Sequence, residues 1–154
     1  MQVSKILAPE AMKVLSRTTS KKKLFCDLAA IAEAAYGIPA DRALTGLQER
    51  ETLGCTAVGD GVALPHARLD ELEGVRCVFL RLEQPIDFDA VDRKPVDLIC
   101  ALFAPEGVGV AHLKALALVS RTLRDAALCA KLRANDDPAL LHTILTETTA
   151  SQAA

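Results

Sequence analysis

His66 closes a short run, Gly59-Asp60-Gly61-Val62-Ala63-Leu64-Pro65-His66, with Arg68 two residues further on. Val62-Ala63-Leu64 reads as a buried strand, bounded upstream by Gly59 and Gly61. Pro65 has no backbone N–H for a ladder and fixes its own φ, so the strand is expected to stop there. His66 then stands at a strand end on stiffened backbone. A neutral imidazole, with an ordinary pKa of about 6.5, is a competent nucleophile near neutral pH once an acceptor holds its other ring nitrogen. Two more side chains suit the same chemistry. His112 falls at or just inside a helix N-terminus, where free backbone N–H groups favour an anion. Arg50 falls in the last turn of a helix that leads towards the Val62 strand, and its planar fork suits an oxyanion. A nucleophile beside cationic and hydrogen-bonding groups is what phosphoryl transfer asks of a protein. Each residue also has a plainer reading: His66 as a turn residue, His112 as an exposed helix start, Arg50 as a complement to the helix dipole.

The elements that must position these groups follow from local signals. Met1–Ala8 suggests a short opening turn or helix, and Met12–Leu15 a strand. Ser20 is an N-cap for a helix with Leu24, Leu28, Ile31 and Ala35 on one face, ended by Gly37. Lys21, Lys22 and Lys23 in its first turn are expected to be a solvated charged face. Pro39 opens the next helix, through Ala43, Leu44, Leu47 and Arg50, and Gly54 closes it; a loop is expected from there to the Val62 strand. Val75–Glu83 alternates as a half-buried strand does, and Pro95–Ala104 is the near-continuous apolar run of a central strand. Between them Gln84–Lys94 reads as a polar loop, with Asp87, Asp89 and Asp92 in turn and capping roles rather than as a cation site. After a flexible Pro105–Val110 loop, His112 opens a helix with Leu113, Leu116 and Val119 (and Ala117 and Leu118) packed and Ser120, Arg121 and Arg124 outward. Asp125 caps a helix over Ala126–Arg133. Asp137-Pro138 starts a last helix, Ala139–Thr146, in which His142 is an ordinary side chain, and residues 148–154 are expected to fray. Strands alternating with helices argue for one α/β layered domain over residues 1–147, with strand order left open by pattern alone.

Composition narrows the function classes. The chain has 154 residues, 51% of them apolar and none of them Trp, so its core must be aliphatic. A formal charge of −2 gives no general attraction for nucleic acid or an anionic membrane. The 5 cysteines are widely spaced with no C-x-x-C pair, which points to buried free thiols in a reducing compartment and away from a zinc site or disulfide framework. Neither a signal peptide nor an apolar run near the ~20 residues of a membrane span is visible, so a soluble, cytoplasmic protein without membrane insertion is expected. A Gly-rich Lys-Ser/Thr phosphate loop and a G-x-S-x-G elbow are both missing from the sequence, and neither a metal nor a cofactor is expected.

Longer stretches carry a further signal: Glu49–Gly59, the run from Gly59 to Leu69, Val75–Leu82, Pro85–Asp92, Pro95–Leu98 and Ala111–Leu116. In this order they resemble the enzyme IIA domains of the bacterial sugar phosphotransferase system, fructose/mannitol family, and most of all its nitrogen-regulatory branch. The resemblance runs from about Ser20 to Ile144. It implies a three-layer α/β/α fold with a central mixed sheet flanked by helices. It also implies that Nε2 of His66 accepts a phosphoryl group from a histidine phosphocarrier protein, with His112 as second active-site histidine and Arg50 facing the phosphoryl group. Arg68, nearest to His66 in sequence, is a further candidate phosphate-stabilising group, and Asp60 matches a position where some relatives carry a polar residue near the site. Ala67 departs from the glycine many relatives place there, and its methyl is expected to restrict the backbone or a partner's approach. The implied output is regulation of target proteins, such as potassium-transport or stress-signalling regulators, by phosphorylation state. The alternative is a sugar-transport subunit passing phosphate to an enzyme IIB.

Overall fold

In the computed structural model, residues 1–107 and 109–153 are described, the last six of these by backbone alone. A four-residue helix α1 (Val3–Ile6) precedes β1 (Met12–Leu15), α2 (Lys21–Tyr36) and α3 (Ala40–Thr52). Three short strands follow, β2 (Ala57–Gly59), β3 (Val62–Ala63) and β4 (His66–Leu69). Then come β5 (Arg76–Ile86), β6 (Val96–Pro105), α4 (Ala111–Leu123), α5 (Ala126–Arg133) and α6 (Pro138–Ala153).

The helix boundaries come from the caps that the residue types announce. Ser20 accepts a hydrogen bond from Lys23 N at 3.0 Å, and Gly37 ends α2 in the left-handed region at φ 72°. Asp125 Oδ1 receives the N–H groups of Ala127 and Leu128, and Asp137 that of Ala139. Lys21 is not left to solvent. It pairs with Glu51 at 2.8 Å and lies over the Phe88 ring at 4.2 Å, tying α2 to the end of α3 and to the loop before β6. Backbone helix continues in α6 past the end expected at Thr146. Side chains from residue 148 on, and all of Ala154, lie outside the described residues, as does the fraying expected there.

The six strands form one mixed sheet, ordered β1-β5-β6-β3-β2 with β4 also on β6. β6 is its axis. It pairs antiparallel with β5 on one side and parallel with β3 and then β4 on the other. Its apolar run is what a strand covered on both faces requires, and Leu98, Ile99 and Ala101 to Ala104 are all fully buried. α2 and α3 pack on each other and against β5 and β4, while α4, α5 and α6 lean on β6, β5 and β1. The result is the expected mixed sheet flanked by helices.

Two expectations about strands change. The segment after Gly54 is not all loop, since β2 forms a bulged antiparallel pair with β3. Pro65 also interrupts a strand instead of ending one. Val62 and Ala63 face Leu98 and Ile99 of β6, and after the break His66 resumes the ladder opposite Leu102. Pro65 still contributes its carbonyl, which accepts from Leu102 N at 2.9 Å. His66 therefore opens β4.

α3 lies close on β4 because residue 46 has no side chain. A Cβ there would sit 2.9 Å from the Cβ of Ala67 and 3.1 Å from a methyl of Leu69. Of the two effects expected of the Ala67 methyl, on the backbone or on a partner's approach, its burial against α3 places it with the first. Gly46→Val is expected to lower stability by about 1–3 kcal/mol through overpacking, read as a lower urea midpoint. Ala67→Gly in the same chain should recover part of that loss.

Candidate active site

The imidazole of His66 is fixed at both nitrogens. Nδ1 lies 2.9 Å from the carbonyl oxygen of Leu64, an acceptor that settles the ring proton on Nδ1. Nε2 is left with its lone pair outward, and Arg50 Nε–H donates to it at 3.1 Å. Arg50 is itself braced, since Nη1 donates to the Gly54 carbonyl at 2.9 Å. Glu51, next along α3, receives Thr56 N at 2.9 Å and Thr56 Oγ1 at 2.7 Å besides pairing with Lys21. The end of α3, and with it Arg50, is anchored to the chain that runs into β2.

His112 faces the same space. Its ring centroid lies 5.3 Å from that of His66, with the planes inclined by 50°. Only 8% of its surface is exposed, so it is no exposed helix start. Among the described residues its Nδ1 is buried without a hydrogen-bond partner. An orphaned N–H there would cost more than an orphaned lone pair, which places the proton on Nε2 as a donor. Among the described residues no side chain caps α4 at Val110, leaving first-turn N–H groups for an arriving anion.

Around these rings is a cleft of about 480 Å³, lined by Gly46, Glu49, Arg50, Leu53, His66, Ala67, Arg68, His112, Leu113 and Leu116. Arg68 shares it because strand alternation puts residues 66 and 68 on one face of β4, with 67 and 69 buried behind. Asp60 is elsewhere. It sits in the β2–β3 turn at φ 55°, bound to Lys94 through its carboxylate and to Arg133 through its carbonyl, and it does not line the cleft. His142 is also elsewhere, with Nε2 2.9 Å from the Leu7 carbonyl. Asp87 and Asp92 take turn and capping hydrogen bonds, and among the described residues no cluster could hold a metal ion.

Two parts of the cleft were not singled out from the sequence. Leu113, expected to pack inside, is 60% exposed, and Leu116 is only half-buried. Alternate apolar residues in α4 fit more than one helical face, and Leu118, Val119 and Leu123 took the inner one. Gly46 did leave a trace, since a glycine inside a helix costs stability and marks a close approach.

Electrostatics keep both rings neutral. Desolvation lowers the pKa of His66 below its ordinary value; the Leu64 carbonyl opposes this, and the charges of Arg50 and Arg68 add to it. Burial first, then His66 and Arg68, push His112 down to about 4. In the unfolded chain His112 would titrate near its ordinary pKa of about 6.5. Between the two values the unfolded state binds more protons, so this contribution is full above about 6.5 and is lost as pH falls towards 4. His112→Gln should flatten the fall in denaturant midpoint over that window.

The family model described as "Phosphoenolpyruvate-dependent sugar phosphotransferase system, EIIA 2" matches residues 5–148. The chain belongs to that family. A relative named nitrogen regulatory protein, from Bradyrhizobium diazoefficiens, is 44% identical over 145 residues, covering 94% of this chain and 95% of that one. The crystal structure of the nitrogen regulatory protein IIA-Ntr from Neisseria meningitidis superposes with a TM-score of 0.86 at 30% identity, over 94% of this chain and 99% of that one. The Escherichia coli mannitol IIA shares the fold, with a TM-score of 0.74 at 15% identity over 89% of this chain and 97% of its own. In this phosphotransferase family the chain thus stands with nitrogen regulatory relatives. Among the described residues, no helix is long and apolar enough to cross a membrane.

Proposed function

We propose that this protein is a nitrogen-regulatory phosphoryl carrier, which accepts a phosphoryl group on Nε2 of His66 from a histidine phosphocarrier protein and acts on target proteins according to its phosphorylation state. The observation that carries this reading is the ring of His66, with its proton held at the Leu64 carbonyl and its Nε2 lone pair turned to a cleft where Arg50 donates to it and His112 stands beside it.

In the transfer, Nε2 forms a bond to phosphorus while the N–P bond of the donor's phosphohistidine breaks. The donor imidazole leaves with the electron pair of that bond. The proton of His66 stays on Nδ1, so no general base is needed. Arg50, which covers the lone pair at rest, moves its guanidinium onto the incoming phosphoryl oxygens. His112 Nε2–H and the first-turn N–H groups of α4 take others, and Arg68 adds positive charge. The phosphorylated ring carries about −1.5 to −2 charge, by analogy with other phosphorylated side chains. That change beside an apolar rim alters which proteins can dock.

The second reading, a sugar-transport subunit that hands phosphate to an enzyme IIB, uses the same side chains and shares its fold with the mannitol protein. The names of the relatives favour the first. Incubation with phosphoenolpyruvate, enzyme I and either a nitrogen-type or a sugar-type phosphocarrier separates them by acid-labile phosphate. Faster labelling by the nitrogen-type carrier is expected. Efficient labelling by the sugar-type carrier, followed by transfer to an enzyme IIB, would reverse the assignment.

A further inference from the structure

We infer that the outward face of α4 is a docking surface for a protein partner that presents an acidic, partly apolar face, and that this partner prefers the chain with His66 unphosphorylated. This rests on the carrier function proposed above and names the kind of partner it controls. The face begins at the cleft, where Leu113 and Leu116 line its wall, and runs along the helix through exposed Lys114, Ala117, Arg121 and Arg124. Large apolar side chains stand out of the molecule here. Leu53 is 83% exposed, Leu113 60% and Val110 57%. Such groups gathered beside a site mark a contact surface.

Charge then selects the partner. α4 contains no Asp or Glu. Lys114 lies in its first turn, where the helix dipole opposes a cation, so local helix stability does not account for it. Among the described residues none of Lys114, Arg121 and Arg124 makes an ion pair, whereas Arg42, Lys94 and Arg133 elsewhere do. Unspent positive charge interleaved with leucine suits carboxylates set around apolar side chains. It repels a basic surface. A phosphoryl group on His66 would put negative charge at the edge of this face and oppose the same carboxylates.

The test uses the full chain, isotope-labelled, and two synthetic amphipathic helical peptides with leucine at every third or fourth position. One carries Glu on its remaining face and the other Lys. Binding of the Glu peptide should shift the amides of α4, weaken with salt, and fall about tenfold in the K114E/R121E/R124E chain. It should also fall roughly fivefold or more when His66 carries phosphate, introduced with phosphoramidate, a small donor that needs no docking. Equal binding of the Lys peptide, shifts away from α4, or no effect of phosphate would overturn the inference. Binding to phosphatidylglycerol vesicles, or self-association through α4, in place of the Glu peptide would overturn it too. The triple variant should still take phosphate from phosphoramidate, which reports an intact site. A parent chain labelled neither by phosphoramidate nor by a carrier would instead defeat the carrier function, whatever the peptides do.

Discussion

His66→Ala is expected to take up no acid-labile phosphate from any phosphocarrier. His66 Nε2 has its lone pair directed into the cleft and its ring proton parked elsewhere. The other two histidines cannot stand in for it. His142 has its Nε2 at the Leu7 carbonyl, and the nitrogen that His112 turns to the cleft carries the ring proton and so has no lone pair for phosphorus. Thermal unfolding should move little in the variant, because His66 is half-buried and its bond to Leu64 is local. Label that persists, mapped by partial digestion to another residue, would relocate the acceptor.

Arg50→Ala should come next in size, slowing phosphoryl acceptance by about 100- to 1,000-fold, the usual loss on removing one preorganised charge-stabilising group. The guanidinium already donates to Nε2 of His66, so a phosphorus arriving at that nitrogen would lie close to it from the start. Arg50→Lys should restore only part of the rate. An ammonium keeps the charge but cannot hold Gly54 and a phosphoryl oxygen in one plane. Single-turnover transfer from a labelled carrier measures both. A variant within about threefold of the parent would remove Arg50 from the reaction, a difference too small for a transition-state contact.

Much of this arrangement could be read from local chemistry. The caps at Ser20, Gly37, Asp125 and Asp137 act within a turn of the chain, so residue type alone locates them. β6 announced itself because a strand covered on both faces cannot alternate. The misreadings were of longer range. β2 is too short to show a period, and only its pairing with β3 makes it a strand. Pro65 looked like a stop because a local rule does not know that β6 continues past it and collects His66 on the far side. Asp60 was placed near the site by likeness of position, while its own turn and its bonds to Lys94 and Arg133 hold it in another groove. Lys21 read as solvated because its partners, Glu51 and Phe88, lie far off in sequence.

The break at Leu64-Pro65 has one more consequence. Many enzymes orient a histidine with a carboxylate, which can be neutralised by acid, weakened by salt or lost to a single base change. Here the part that aims the ring is a peptide oxygen released by the gap in the strand. It has no protonation state of its own in the working range and no codon that deletes it. The aim of the His66 ring is thereby written into the path of the main chain.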